Sequence, residues 1–349
     1  MLTQTNSAVS EEPDSPAPAA LEAWLTQSVP GYDGPGRLIK FSFGQSNPTY
    51  RLAAASGDYV LRRKPAGSLL PKAHMIEREF RVLQALASSD VPVPKVLAYC
   101  DDVSVLGSAF YVMEFVAGRI FYDQRLPDVS ADERAAIFDA MNDTVARLHR
   151  VVLADVDLAS FGRSEGFLKR QVELWSGQYR ASEGMRIEAM EKLIEWLPRN
   201  LPAEQAGRIF HGDLRLDNMV FHPTEPRVVA LLDWELSTVG DPIADFAYHT
   251  FVWRVPPDLF RGFSGLDLEA LGIPTEAEYV ERYCARVDRE SLPDWHFYLA
   301  FSLFRVAAIL QGVWRRAQDG QASSKDAAAV GAKAAPLATI GWDIAQGAN

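Results

Sequence analysis

The sequence predicts an α+β protein, β-rich with one internal helix in its first third and mainly α-helical thereafter. Three observations carry that expectation. Up to Glu114 the apolar residues fall in short runs of strand character, separated by Gly, Asn, Pro and Asp. From about Ser130 onward they recur at helical spacing over long segments. A composition of 48% hydrophobic and 23% charged residues over 349 residues supports a sizeable core and two domains or two lobes.

Taken in order, residues 1–20 carry neither an apolar run nor basic residues, so they read as a disordered tail and not as a secretory signal. Leu21 to Gln27 suits a short helix. Arg37 to Phe43 begins a strand, the turn formers Gly44, Ser46, Asn47 and Pro48 follow, and Ser56-Gly57-Asp58 makes a second turn before Tyr59 to Arg63; together these predict a three-strand meander. Ala73 to Ala87 reads as a helix, with Ile76, Phe80, Leu83 and Leu86 on one face. At about 100° per residue Glu79 projects onto that face, whereas Glu77, Arg78 and Arg81 project away. A carboxylate placed there needs a partner.

Val91 to Lys95 is extended because of its prolines and leads toward another strand, and Phe110 to Glu114 reads as one more. Helical periodicity then marks Ala131–Arg150, Phe167–Tyr179, Met185–Leu197 and Glu276–Arg289. Phe297 to Trp314 is strongly apolar, but Ser302, Arg305 and Gln311 would be costly in lipid, so it reads as a core helix. Between these helices, Met219–Phe221 and Val228–Leu232 form a hairpin about the turn His222–Pro226. Beyond Gly320 the Ala, Gly and Ser content suggests a loose segment.

Lys plus Arg number 35 against 46 Asp plus Glu, a formal charge of −11, which tells against a nucleic-acid or anionic-membrane partner. Cys100 and Cys284 stand far apart, without the spacing of a disulfide framework or zinc site, and suit a reducing, cytoplasmic setting.

The chemistry concentrates in His211-Gly-Asp213-Leu-Arg-Leu-Asp-Asn218 and Leu231-Leu-Asp233-Trp-Glu235. The hairpin returns the chain so that Asp213, Asn218 and Asp233 can gather hard oxygen atoms at one end of a small sheet, an arrangement suited to magnesium and a phosphoryl group. One carboxylate would accept the proton of an attacking hydroxyl, and further oxygens would hold the metal. A metal-dependent phosphohydrolase built from His211, Asp213, Asp233 and Asp241 is the competing reading, weakened by the lack of a clustered histidine pair. His211 reads as scaffolding and Asp217 as a loop-stabilising carboxylate. Asp241 and Asp245 stand where helix caps occur. Arg305, on the apolar helix, needs an anionic partner, either a protein carboxylate or an anionic substrate.

These blocks resemble those of the aminoglycoside phosphotransferase and choline kinase-like family, small-molecule kinases with the protein-kinase-like fold. The resemblance runs from about Lys40 to Arg316 through Phe43-Gly-Gln-Ser-Asn-Pro-Thr-Tyr50, Tyr59-Val-Leu-Arg62, Glu77-Arg-Glu79, Tyr111-Val-Met-Glu114, HGDLRLDN and LLDWE, in that order. GQSNPTY, LRRKPAG, LLPKAH and LDWELSTVGDPIAD are most similar to the branch in which a kinase-like domain is fused to some acyl-CoA dehydrogenases.

The resemblance implies a bilobal chain, with a nucleotide-binding N-lobe over 21–116 and a catalytic, acceptor-binding C-lobe over 117–349. It implies ATP and Mg2+ as cofactors and transfer of the γ-phosphoryl group to a hydroxyl of a small-molecule acceptor, such as a hydroxyacyl-CoA or another metabolite. An aminoglycoside resistance kinase and a catalytically silent nucleotide-binding module are the alternatives. Asp213 would be the base, and Asn218 and Asp233 the metal ligands. Gly44, Gln45, Ser46 and Asn47 would cover the phosphates, Arg62 would grip them while pairing with Glu79, and the backbone of Glu114 to Val116 would meet adenine. Asp245 and Arg305 would border the acceptor.

Three departures from the protein-kinase pattern stand out. Arg62 replaces Lys and keeps a bidentate grip on phosphate. The phosphate loop has a single Gly. Asp233-Trp-Glu235 replaces Asp-Phe-Gly, so the activation-loop switching of protein kinases is not expected.

Overall fold

A computed structural model describes residues 15–41, 47–65, 75–182, 184, 186–320 and 326–347. In chain order the first elements are β1 (Ser15–Pro16), α1 (Ala19–Ser28), β2 (Arg37–Lys40), β3 (Thr49–Ala54), β4 (Gly57–Arg63), α2 (Ile76–Leu86), β5 (Val96–Cys100), α3 (Val103–Leu106) and β6 (Phe110–Glu114). Next come α4 (Ala131–Arg150), α5 (Phe167–Ala181), α6 (Glu188–Trp196), β7 (Arg208–Phe210), β8 (Met219–Phe221), β9 (Val228–Leu231), β10 (Thr238–Gly240) and α7 (Pro242–Thr250). The chain ends with α8 (Pro257–Phe260), α9 (Leu268–Leu271), α10 (Glu276–Arg286), α11 (Trp295–Gln318), α12 (Ala327–Gly331) and α13 (Ala334–Ala345).

These elements fall into two compact units. One comprises residues 1–122, 153–158 and 215–237; the other comprises 123–152, 159–214 and 238–349. The hairpin β8–β9, expected in the second lobe, therefore clusters with the first unit.

In the first unit a six-stranded sheet has the order β1-β2-β3-β4-β6-β5, and every neighbouring pair is antiparallel. The meander β2-β3-β4 is the one the turn residues predicted. Ser15 and Pro16, expected within the disordered tail, instead pair with Leu38 and Arg37. Leu21, Leu25, Leu38, Leu52, Leu61, Phe110 and Val112 form a core between α1 and the sheet. Helix α2 buries Ile76, Val82, Leu83 and Leu86, and with them Glu79. The tight β8–β9 hairpin lies close to the chain after β6: at Gly118 any Cβ would run into the Phe221 carbonyl, and Arg119 bridges to Phe221.

The second unit is helical around α11, which packs on α5, α6, α7, α12 and α13. Its interior residues Phe297, Ala300, Phe301, Leu303, Phe304 and Ala307 are buried, as expected of a core helix. Helix α4 starts at Ser130, whose hydroxyl accepts the Glu133 N–H at 3.2 Å. A capping box between Thr275 and Glu278 opens α10. The two-stranded ladder of β7 and β10 was invisible in the sequence because each strand has only three residues. The loose segment expected beyond Gly320 contains α12 and α13. Alanine is the strongest helix former, and small residues let these helices approach α11 closely: a Cβ on Gly341 would sit 3.1 Å from that of Leu303.

Candidate active site

Strand alternation turns Arg62 of β4 to the same side as Val60, and the ladder sets it opposite Tyr111 of β6. Glu79, 2% exposed on the inner face of α2, meets it: Arg62 Nε lies 2.7 Å from Glu79 Oε2. The same guanidinium donates through Nη2 to Asp233 Oδ1 at 2.8 Å and reaches Glu235 Oε2 at 3.5 Å. Its Nη1 donates to Thr49 Oγ1 at 3.3 Å. Glu79 in turn accepts from Asn47 Nδ2 at 2.7 Å and from the Tyr111 hydroxyl at 3.2 Å. Burial pushes the Glu79 carboxyl up, opposed by Arg62 beside it. Burial alone would weaken the charge of Arg62, but Glu79, Tyr111, Asp233 and Glu235 outweigh it and hold the guanidinium firmly protonated.

Asp233 enters this cluster through the hairpin. Leu231 pairs with Met219, and the Leu232 N–H donates to the Asn218 carbonyl at 2.8 Å, so Asn218 and Asp233 flank the same end of the ladder. Asp233 adopts φ 64°, ψ 65°, a left-handed conformation that costs a non-glycine residue of order 1 kcal/mol. The following turn, Trp234–Leu236, packs on α2, and the Trp234 indole donates to the Leu231 carbonyl at 2.9 Å. Arg215 pairs with Asp217 at 3.3 Å, the loop-stabilising arrangement expected of that carboxylate.

Three carboxylates around one guanidinium leave this cluster with excess negative charge, a fit for a hard cation. Among the described residues no trio of His, Cys, Asp or Glu forms a complete metal cage. Magnesium keeps several waters and takes oxygens from phosphates, so one or two protein ligands such as Asn218 and Asp233 suffice.

The second unit holds His211 to Leu214 at the end of β7. Asp245 of α7, expected to cap that helix and to border the acceptor, is not the cap. It is fully buried, accepting the His211 N–H at 2.6 Å and the Gly212 N–H at 2.9 Å. The cap is Asp241, whose carboxylate accepts the Ile243 N–H at 2.9 Å and the Tyr298 hydroxyl at 2.9 Å. One turn on, the Tyr248 hydroxyl donates to Asp213 Oδ1 at 2.8 Å. Arg305 of α11 donates to the Gly212 carbonyl at 2.6 Å and lies 4.7 Å above the Tyr248 ring and 5.3 Å from the Trp175 ring. A backbone oxygen and two aromatic faces thus stand at Arg305, for which a protein carboxylate or an anionic substrate was expected.

Of the expected site residues, the structure brings together Asn47, Arg62, Glu79 and Asp233, with Asn218 at the hairpin end. Glu114 ends β6 opposite Tyr59, and Val116 follows it. Gly44, Gln45 and Ser46 lie outside the described residues. Sequence reasoning missed Tyr111, Thr49, Glu235 and Tyr248. Tyr111 and Thr49 carried a usable signal, since both are direct ladder partners of Arg62.

A model of the phosphotransferase enzyme family matches residues 37–301. Mouse acyl-CoA dehydrogenase family member 10 is 49% identical over 329 residues, covering 93% of this chain and 31% of that protein. The chain therefore spans less than half the length of such relatives. A crystal structure from Ralstonia eutropha, provisionally described as an aminoglycoside phosphotransferase, is 50% identical with a TM-score of 0.87, covering 95% of this chain and 98% of the other. An aminoglycoside phosphotransferase variant solved with ADP and hygromycin B has a TM-score of 0.58 at 14% identity, covering 93% and 99%. Choline kinase from Cryptosporidium parvum has 0.60 at 13%, covering 93% and 96%. These last two likenesses show the protein-kinase-like fold.

Proposed function

The chain belongs to the phosphotransferase enzyme family, and from that premise we propose that it is an ATP- and magnesium-dependent small-molecule kinase that phosphorylates a substrate hydroxyl. The observation that carries the reading is the Arg62 cluster, in which a buried Arg–Glu pair at 2.7 Å also holds Asp233 at 2.8 Å. Such a cluster is costly to bury and suits a site that exchanges one anion for another.

In this reading Arg62 grips the α- and β-phosphates and Glu79 keeps its planar fork oriented. Gly44, Gln45, Ser46 and Asn47 cover the phosphates; the Asn47 amide is engaged with Glu79, so its contribution comes from the backbone. The backbone of Glu114 and Val116 meets adenine. Asn218 and Asp233 would hold magnesium, which when bound neutralises phosphate charge. Asp213 orients the acceptor hydroxyl and takes its proton as that oxygen bonds to the γ-phosphorus and ADP leaves.

For the acceptor, kinship with acyl-CoA dehydrogenase family members favours a hydroxyacyl-CoA or related metabolite over an aminoglycoside. A cytoplasmic setting accords with two buried free cysteines. The test is magnesium-dependent ATP consumption against a panel of hydroxyacyl-CoA esters, aminoglycosides, choline and sugars, with Asp213→Ala as control. Turnover confined to one class names the acceptor, and turnover that survives Asp213→Ala refutes the base assignment. Binding of MgATP with no turnover would favour the silent nucleotide-binding module.

A further inference from the structure

We infer that Tyr248 is a positioning residue for the Asp213 carboxylate, held in place by Arg305; the inference rests on the reading of Asp213 as the base. One face of α7 clamps the tetrapeptide His211–Leu214 atom by atom. Asp245 receives the N–H groups of His211 and Gly212, Tyr248 at i+3 donates to the Asp213 side chain, and His249 at i+4 reaches the Leu214 carbonyl at 3.3 Å. From α11, Arg305 takes the remaining Gly212 carbonyl. Gly212 has φ 88°, which a side chain would strain, and this twist brings Asp213 round to α7.

Among these contacts the Tyr248 hydroxyl alone touches the functional carboxylate rather than its backbone. The phenol is 9% exposed, and a Phe ring would fill the same space, so packing does not require the hydroxyl. A neutral phenol carries an O–H that can donate to a carboxylate. Donation to a carboxylate favours the ionised form and fixes one rotamer, both of which a general base needs. Arg305, 5% exposed and centred 4.7 Å over the ring, fixes the plane of Tyr248 and adds positive charge beside the Gly212 carbonyl.

The test is a 13C titration of the full chain labelled at the aspartate carboxyl carbon, with the Asp213 signal identified by its loss in Asp213→Asn. In Tyr248→Phe the Asp213 midpoint should rise by about half to one pH unit. Arg305→Lys, which leaves the phenol but loses the planar cover, should give a smaller rise, and it serves as the second variant if Tyr248→Phe melts early. In ATP consumption with any responding acceptor, Tyr248→Phe should lose activity more at pH 5 than at pH 8, with KM for MgATP unchanged within about twofold. A merely structural Tyr248 would depress activity equally at both. An unmoved midpoint in both variants overturns the inference whether or not the chain turns over nucleotide. A raised midpoint, combined with turnover that survives Asp213→Ala, would retain the Tyr248 contact and refute the base reading instead.

Discussion

Acidification should destabilise this protein through His249 by roughly 2–3 kcal/mol between pH 7.5 and 4.5. The imidazole is 5% exposed on α7, between the Leu214 carbonyl at 3.3 Å and the Tyr279 hydroxyl at 2.8 Å. A carbonyl can only accept, so Nδ1 carries the proton and Nε2 accepts from the phenol. Burial lowers the pKa from 6.5 to about 4; the Leu214 carbonyl and Asp245 pull the other way, and His149 adds to the lowering. A base whose folded pKa is depressed binds protons better when unfolded, so its contribution is intact above 6.5, falls as pH drops, and is exhausted below about 4. At 1.36 kcal/mol per unit the full span is roughly 3 kcal/mol, most of which is lost by pH 4.5. Burial raises Asp241 and Glu79, which act in the opposite direction. The measurement is therefore the difference in urea unfolding free energy between the parent and His249→Gln, followed by tryptophan fluorescence across that pH range. The parent's advantage should shrink steadily as pH falls. A constant gap would mean that His249 does not titrate on unfolding, and the argument from burial would be wrong.

Three further outcomes are expected. Asp233→Ala should weaken MgATP binding at least tenfold by calorimetry, whereas Asp213→Ala should leave it within about twofold; equal losses would show that the two roles have been misassigned. Glu79→Gln removes one of the anions that hold the Arg62 fork, lowering the melting temperature and weakening MgATP binding by about tenfold; unchanged affinity would mean that Arg62 is positioned by Asp233 and Glu235 alone. Gly341→Leu would force α13 away from Leu303 and the Ala300 carbonyl, costing about 1–3 kcal/mol in urea unfolding; a neutral result would mean that the close approach of α13 to α11 contributes little.

What the residues declare by themselves are features set by local geometry. A helix turns by about 100° per residue whatever surrounds it, so Glu79 could be placed on the apolar face of α2 before any partner was known. Strand alternation and turn chemistry likewise made β2-β3-β4 and the β8–β9 hairpin legible, and the ordered motifs identified the family. Composition misled at the C-terminus, where Ala and Gly read as looseness but serve close helix packing. Tertiary structure decided which groups meet. Arg62 and Asp233 are separated by 171 residues and Tyr248 and Asp213 by 35, distances at which periodicity carries no information. That Asp245 anchors backbone, that Arg305 lies on aromatic faces, and that Asp233 pairs with Arg62 follow from burial, because each buried polar group must find a partner among whatever the fold brings within hydrogen-bond reach.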